Sequence, residues 1–242
     1  MKKYKNSNDK NNIITIDGPA GSGKSTIAKI LARDLGLKYI DTGAMYRAIT
    51  LLAMENNIDY KDEESILRLA KKAKLEIDCS AGDENKYTTV KLDGRDVTDK
   101  IRSKEVGSAV SIVSKLSGIR KYLVKLQRKL SSDGRGAVLE GRDTGSIVCP
   151  NAVLKIFLTA SLKERVKRRK LQIAGNGQLT KQKLISDEIK SRDKIDSSRK
   201  DSPLIIPENG IVIDTSNMTI KEVTSKIKDI YKERINDKDK AR

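Results

Sequence analysis

The sequence predicts an α/β fold in which a parallel five-stranded sheet is covered by helices. Five short apolar runs are rich in β-branched residues, as buried parallel strands are. Helical spacing of apolar residues lies between most of these runs, which favours crossover connections over hairpins. In chain order the runs are NIITID (12–17), LKYIDTG (37–43), AVLEGRD (137–143), NAVLKIFLTA (151–160) and GIVIDTS (210–216).

The first of these strands leads into a glycine-rich turn and a helix. The strand ends at Gly18, helical spacing begins at Lys24, and Gly36 is the expected end of the helix. A second helix is expected from Tyr46 to Asn56, and others over 119–130, from Leu162 onward and after GIVIDTS. The chain therefore alternates strands and helices over most of its length.

The stretch 62–101 interrupts this alternation and is interpreted as an insertion. ESILRLAKKAK predicts an amphipathic helix, and LEIDC and YTTVKLDG predict antiparallel strands. SAGDENK suits a hairpin loop between those strands, and DGRDV suits a tight turn. The insertion is expected to be a small antiparallel hairpin or sheet.

The composition of the chain limits the kinds of partner and catalytic site that the protein can have. The 242 residues include 50 Lys and Arg against 33 Asp and Glu, a formal charge of +17, and no histidine. The positive charge favours phosphate-bearing partners. The missing histidine excludes Ser-His and Cys-His pairs, His-ligated zinc and a histidine general base. Few aromatic residues weaken a single-strand nucleic-acid interpretation.

The ends of the chain and its cysteines predict a cytoplasmic, soluble protein. Cys79 and Cys149 form no CxxC pair, so neither a zinc ribbon nor a disulfide framework is indicated. Residues 1–12 are polar and basic without a following secretory apolar segment, and no run approaches 18 apolar residues. We therefore expect a disordered basic arm over 1–12 and no membrane association.

A phosphate-binding loop is the strongest single motif. GPAGSGKS (18–25) fits G-x-x-x-x-G-K-[ST] and lies between a predicted strand and a predicted helix, the context that the motif requires. Lys24 would reach the β and γ phosphates, and the Ser25 hydroxyl would face Mg²⁺. The residues expected to hold the nucleotide donor are Gly18, Pro19, Ala20, Gly21, Ser22, Gly23, Lys24, Ser25 and Thr26.

Three further clusters predict a second anion site. DTGAMYR (41–47) and EGRDTG (140–145) each follow a predicted strand, so both belong to the same edge of the sheet as the phosphate loop. In SRDKIDSSRKDSPL, a helix before Pro203 would place Arg192, Asp196 and Arg199 on one face. An exposed salt-bridge ladder is the alternative for that face, but three such clusters beside a phosphate loop favour a shared site.

These motifs, in this order, resemble bacterial cytidylate kinases of the nucleoside monophosphate kinase group. The resemblance runs from Ile13 to Tyr231 through GPAGSGKST, DTGAMYR, the inserted hairpin, EGRDTGSIV, KIFLTAS and SRDKIDSSRKDSPL. It implies one P-loop kinase domain over 13–242. Its parts would be a core (13–40, 131–162 and 205–235), an acceptor-binding region with the insertion (41–130) and a short lid (163–185).

The resemblance also implies roles for individual residues. The acceptor phosphate would be held by Tyr46, Arg47, Gly141, Arg142 and Arg199, the sugar by Arg192 and Asp196, and the cytosine edge by Ser111, Arg120 and Asp143. Thr42 joins these substrate-binding residues. The catalytic set would be Lys24, Arg47, Arg142, Arg165, Arg169 and Arg199, with Arg168 on the same lid helix. Three residues in and just after the EGRDTG motif depart from the family pattern. They are Thr144, Cys149 and Asn151, where the family pattern has an apolar, an aromatic and an acidic residue respectively.

The implied reaction is transfer of the γ-phosphoryl group of MgATP to CMP or dCMP by a monomer whose partners are these nucleotides, without nucleic acid. An acceptor phosphate is already anionic, so no general base is needed. Three alternatives remain open at this point: another P-loop kinase of a small metabolite, such as shikimate kinase or a different monophosphate kinase; a nucleotide-dependent RNA-binding protein; and a regulatory nucleotide sensor. The arginine-rich acceptor region disfavours an uncharged acceptor.

Overall fold

The computed structural model describes residues 12–80, 88–132, 134–175 and 181–240. Its strands are β1 (Ile13–Asp17), β2 (Lys38–Asp41), β3 (Leu75–Ile77), β4 (Val90–Leu92), β5 (Arg95–Asp96), β6 (Ala137–Gly141), β7 (Leu154–Thr159) and β8 (Ile211–Asp214). Its helices are α1 (Lys24–Leu35), α2 (Thr42–Glu55), α3 (Glu63–Lys72), α4 (Lys104–Val113), α5 (Ser117–Ser131), α6 (Leu162–Gly175), α7 (Gln182–Ser197) and α8 (Ile220–Lys240).

The main sheet is parallel and five-stranded, in the order β2-β6-β1-β7-β8, which confirms the fold class. Both of its faces are covered. Val138 of β6 packs with α1 and α8, whereas its neighbours Ala137 and Leu139 pack with α5 on the other side. This alternation explains why the strand is apolar from Ala137 to Leu139.

A second, three-stranded antiparallel sheet of order β3-β4-β5 lies in the predicted insertion. Asp93 and Gly94 both have positive φ, 50° and 78°, and form the tight β4–β5 turn. The Asp-Gly pair is typical of a two-residue hairpin turn with left-handed backbone at both positions. The sequence predicted the turn, but β5 after it was missed because it is only two residues long.

Four other features differ from the predictions. The helix α4 was not foreseen. Thr144–Val148, just after the strand predicted over 137–143, forms a π-helical turn that we did not foresee. Arg199 lies beyond the end of α7 at Ser197, not on the helix. Asn12, expected in the disordered arm, accepts a backbone hydrogen bond from Ala137.

Some predictions concern residues outside the described ranges. The arm over 1–11 is one of them. Most of the SAGDENK loop and of the AGNGQL loop after the basic helix are others. Within the described ranges, every helix is too short or too polar to cross a membrane.

Candidate active site

The carboxyl ends of three neighbouring strands bring the motifs together. In the sheet, Asp17 at the end of β1 lies beside Gly141 of β6, and Asp41 at the end of β2 lies beside Glu140. The phosphate loop follows β1, α2 with its DTGAMYR start follows β2, and the EGRDTG turn follows β6. Open α/β sheets bind ligands at this edge.

The phosphate loop depends on glycine at two tight positions. Gly18 has φ of 149°, and a Cβ there would lie 2.0 Å from the Leu158 carbonyl oxygen. Gly23 precedes α1 with φ of 92°, a left-handed conformation that suits glycine. The loop therefore curls closely against β7 and turns its backbone into the amino-terminal end of α1, where N–H groups favour an anion.

Lys24 lies at the centre of this loop. Its Nζ donates to the Pro19 carbonyl oxygen at 2.7 Å and to the Ser22 hydroxyl at 3.3 Å. Burial, and then the positive charge of Arg142, hold the pKa of Lys24 well below its usual value. The ammonium group thus lacks full charge compensation, and a phosphate would supply it.

Glu140 stands beside the loop and was not assigned a role from the sequence. Its carboxylate accepts from the Ser25 hydroxyl at 2.8 Å and from the Tyr39 hydroxyl. Burial, followed by the nearby Asp41 charge, raises the pKa of Glu140. An acidic residue at the buried end of an apolar strand was the available signal, because such a group needs a functional or structural partner.

Asp17 joins the phosphate loop to the EGRDTG turn. Its carboxylate accepts from the Thr144 N–H and hydroxyl, both at 2.8 Å, and from the Gly145 N–H at 2.7 Å. Thr144, one of the departures from the family pattern, therefore has a polar partner in place of an apolar contact. Despite these donors, burial raises the pKa of Asp17 to about 6.

We expect Asp17 to make stability depend on pH. The acid is harder to ionise in the folded chain than in the unfolded chain. The free energy of unfolding is therefore greatest below the usual aspartate pKa of 3.8 and falls as pH rises through about 6. Relative to an Asp17→Asn variant, the wild type should lose about 2 kcal/mol of unfolding free energy between pH 4 and pH 7. Urea unfolding of both proteins across this range measures it, and parallel curves would contradict it.

The acceptor side contains a buried network of arginines around one carboxylate. Arg142 Nε donates to Asp196 at 2.7 Å, and Arg199 lies 3.5 Å from the other carboxylate oxygen. Burial opposes the charge on Asp196, yet the arginines lower its pKa below the usual value. Sequence spacing predicted that Asp196 and Arg199 share a surface, and they do so although Arg199 follows the helix.

Further arginine charges face this network. Burial, and then Arg142 and Arg47, lower the pKa of Arg192 to about 9. Burial also lowers the pKa of Arg47. Asp41 opposes this effect, whereas the positive charges of Arg169, Arg102 and Arg142 add to it. A cluster of buried arginines whose charges repel one another is suited to an anion with several oxygens.

Asp143, Arg120 and Tyr46 form a second, adjoining group. Arg120 Nη2 donates to Asp143 at 2.5 Å, and the guanidinium lies 5.2 Å from the centre of the Tyr46 ring. Burial opposes the charge on Arg120, but Asp143 raises its pKa. Arg120 Nε and the Tyr46 hydroxyl are buried without a hydrogen-bond partner in the described chain. Each of these buried polar atoms therefore has an unused hydrogen-bonding capacity.

Two predicted substrate residues have structural contacts of their own. Thr42 donates its hydroxyl to the Glu140 carbonyl oxygen at 2.7 Å, and a Cβ on Gly141 would come within 2.6 Å of that hydroxyl. Ser111 lies on α4, where its carbonyl oxygen accepts from Ser114 at 3.4 Å. The contacts of the described residues do not join the Ser111 hydroxyl to Arg120 and Asp143.

The three lid arginines lie on one helix but contact different parts of the chain. Arg165 donates to the Ala20 carbonyl oxygen at 3.2 Å. Arg168 donates to the Thr215 hydroxyl at 2.9 Å and to its carbonyl oxygen at 2.7 Å, so it joins α6 to the end of β8. Arg169 lies 3.8 Å from Glu188 of α7. Only local spacing was visible in the sequence, and tertiary partners decide these directions.

Comparisons with known proteins agree with the geometry. The cytidylate kinase family profile matches residues 14–233. A cytidylate kinase from Caldanaerobacter subterraneus subsp. tengcongensis is 48% identical over 214 residues, which cover 88% of this chain and 92% of that protein. The cytidylate kinase of Bacillus licheniformis is 47% identical over 214 residues, covering 88% and 93% respectively. The chain belongs to the cytidylate kinase family.

Proposed function

We propose that the chain transfers the γ-phosphoryl group of MgATP to CMP or dCMP, giving ADP and CDP or dCDP. An oxygen of the acceptor phosphate forms the new P–O bond while the bond from the γ-phosphorus to the leaving oxygen of ADP breaks. Family membership gives the class, a nucleoside monophosphate kinase with ATP as donor. The observation that carries the proposal is the juxtaposition of the phosphate loop and the Arg142–Asp196–Arg199 network at one sheet edge.

On the donor side, Gly18 to Thr26 would hold the ATP phosphates with backbone N–H groups and Lys24. The Ser25 hydroxyl and the Glu140 carboxylate, 2.8 Å apart, are oxygen ligands of the kind that Mg²⁺ or its waters prefer. When bound with ATP, Mg²⁺ would neutralise charge that develops on the phosphates. Ser25 would bind the ion directly, and Glu140 would accept hydrogen bonds from its waters.

On the acceptor side, the arginines would bring two polyanions together. We assign the acceptor phosphate to Arg47, Arg142 and Arg199, with the unpartnered Tyr46 hydroxyl and the Gly141 backbone. Their charges would offset repulsion between the two nucleotides, and most of the catalytic effect would come from this positioning. No general base is required, so the absence of histidine is compatible with the reaction.

Base and sugar recognition would use the groups next to that phosphate. Asp143 accepts hydrogen bonds, so it would pair with the N4 amino group of cytosine, whereas uracil presents a carbonyl oxygen at that position. Arg120 and Ser111 would bind the remaining edge of the base. Arg192 and Asp196 would hold the sugar hydroxyl groups.

The wider organisation completes the proposal. Residues 163–185 would cover the phosphates, with Arg165 and Arg169 directed at the transferring group, which would exclude water as a competing acceptor. The region 41–130 would cover CMP, and 13–40, 131–162 and 205–235 would form the core. We propose that the protein acts as a cytoplasmic monomer without nucleic acid.

The first test is ADP release from MgATP with CMP, dCMP, UMP, AMP or no acceptor. We expect at least tenfold stimulation by CMP and dCMP and little by UMP or AMP. Uracil offers no amino group to Asp143, and the larger adenine ring carries its amino group at a different place from that of cytosine. Uniform rates with every acceptor would contradict the proposal. If ATP bound without turnover and RNA bound with a steep loss of affinity in added salt, the RNA-binding alternative would replace it.

A further inference from the structure

Asp193 connects three elements of the site although neither the sequence motifs nor the proposed chemistry give it a role. It lies on α7 next to Arg192 and one turn before Asp196. One carboxylate oxygen accepts from the Ala20 N–H at 3.2 Å, and the other accepts from Arg165 Nη1. Asp193 thus contacts both the phosphate loop and the lid helix.

The crest of the phosphate loop, residues 19–21, is held from both sides. Arg165 Nη1 donates to the Ala20 carbonyl oxygen at 3.2 Å, so the N–H and the carbonyl of one residue are bound by Asp193 and Arg165 respectively. A Cβ on Gly21 would lie 3.1 Å from the Arg165 carbonyl oxygen, which places the backbone of α6 directly against the crest. A shift of the crest would therefore break contacts with both helices.

The same contacts fix the direction of the Arg165 guanidinium. Nε donates to the Ala160 carbonyl oxygen at 3.1 Å, and Nη1 is shared between Ala20 and Asp193. Within the described chain, Nη2 has no hydrogen-bond acceptor. A planar guanidinium held by two of its nitrogens presents the third in one direction.

We propose that Asp193 is a positioning residue that fixes Arg165 against the loop crest, so that the ATP site and the acceptor network on α7 keep a constant relative position. This inference rests on the proposed phosphoryl transfer. Such a reaction depends strongly on alignment, and a displacement of about 1 Å can reduce a rate by about a hundredfold. Asp193 would act through Arg165 and Ala20 and would not touch either nucleotide.

Asp193→Asn separates this role from binding. The amide oxygen can still accept from Ala20, but the charge that holds Arg165 is removed. We expect kcat to fall by roughly 10- to 100-fold while the KM for CMP changes by less than about threefold, because the acceptor arginines are untouched. Asp187→Asn, at an exposed position of the same helix, is the matched control and should behave as the wild type.

A double-variant cycle tests whether Asp193 acts through Arg165. If it does, Asp193→Asn combined with Arg165→Ala should be no slower than Arg165→Ala alone. Multiplied effects of the two changes, or a wild-type kcat in Asp193→Asn, would overturn the inference. Circular dichroism and the unfolding temperature of each variant check that the fold is retained.

Amide hydrogen exchange gives a readout that needs no kinase activity. In Asp193→Ala the Ala20 N–H loses its acceptor, so the peptide covering the crest should exchange faster than in the wild type, at equal global stability. Unchanged exchange would overturn the inference even if the kinase assay succeeded. Faster exchange in a protein without CMP-dependent turnover would support the contact and reject the proposed function instead.

Discussion

Lys24→Met is expected to lower kcat with MgATP and CMP by about a thousandfold, the largest loss of any single substitution in the site. The ammonium group would contact the phosphate oxygens on which charge develops, and methionine has similar length without charge. CMP should still bind, because its arginines are unchanged. Steady-state kinetics and CMP binding to the variant measure the two effects separately.

The same substitution should leave the fold intact or stabilise it. Lys24 is buried beside Arg142, and its lowered pKa means that folding works against its charge. The Pro19 carbonyl oxygen keeps a donor in Ser22, so removing Lys24 leaves it satisfied. A fall in unfolding temperature that paralleled the lost activity would mean that Lys24 shapes the loop. Lys125→Met, on the exposed face of α5, is the control for removing a lysine charge.

Asp143→Asn is expected to reduce kcat/KM for CMP by about a hundredfold and to shrink the preference for CMP over UMP by more than tenfold. Asparagine can turn its amide N–H₂ towards the O4 carbonyl of uracil, so activity with UMP should rise or hold while activity with CMP falls. Competition between CMP and UMP in one reaction gives the ratio independently of how much enzyme is active.

Asp143→Ala distinguishes a loss of base selectivity from a general loss of activity. Alanine removes the acceptor for the cytosine amino group without supplying a donor for uracil, so the ratio should shrink while activity with UMP stays low. Both variants deprive the buried Arg120 of its charged partner, and we expect a loss of about 2 kcal/mol in unfolding free energy. An unchanged ratio of CMP to UMP in both variants would refute the assignment of Asp143 to the base.

The strands and the phosphate loop were predictable because their signals are local. A β-branched run ending at Gly18 and a glycine-lysine pattern before an apolar helix need no knowledge of distant residues. The carboxyl ends of parallel strands share one edge of a sheet, so the order of the strands and turns in the sequence already predicts that the EGRDTG turn lies near the loop.

Partners that are distant in sequence were not predictable. Asp193 and Ala20 are separated by 173 positions. Sequence spacing alone could not show that the Asp193 carboxylate accepts a hydrogen bond from the Ala20 N–H. The π-helical turn at Thr144–Val148 was also missed, because Ile147 and Val148 suit a strand as well as a turn. There the Asp17 carboxylate, which binds two successive N–H groups, sets the backbone direction.

The small antiparallel sheet also affects how the molecule meets other copies of itself. β2 is an end strand of the main sheet, and unpaired end strands invite pairing with a second chain. The Tyr39 N–H on that open side donates to the Cys79 carbonyl oxygen at 2.9 Å, just after β3. The segment that follows β3 therefore occupies a backbone donor on the open side of β2, which hinders pairing of this strand with a second chain.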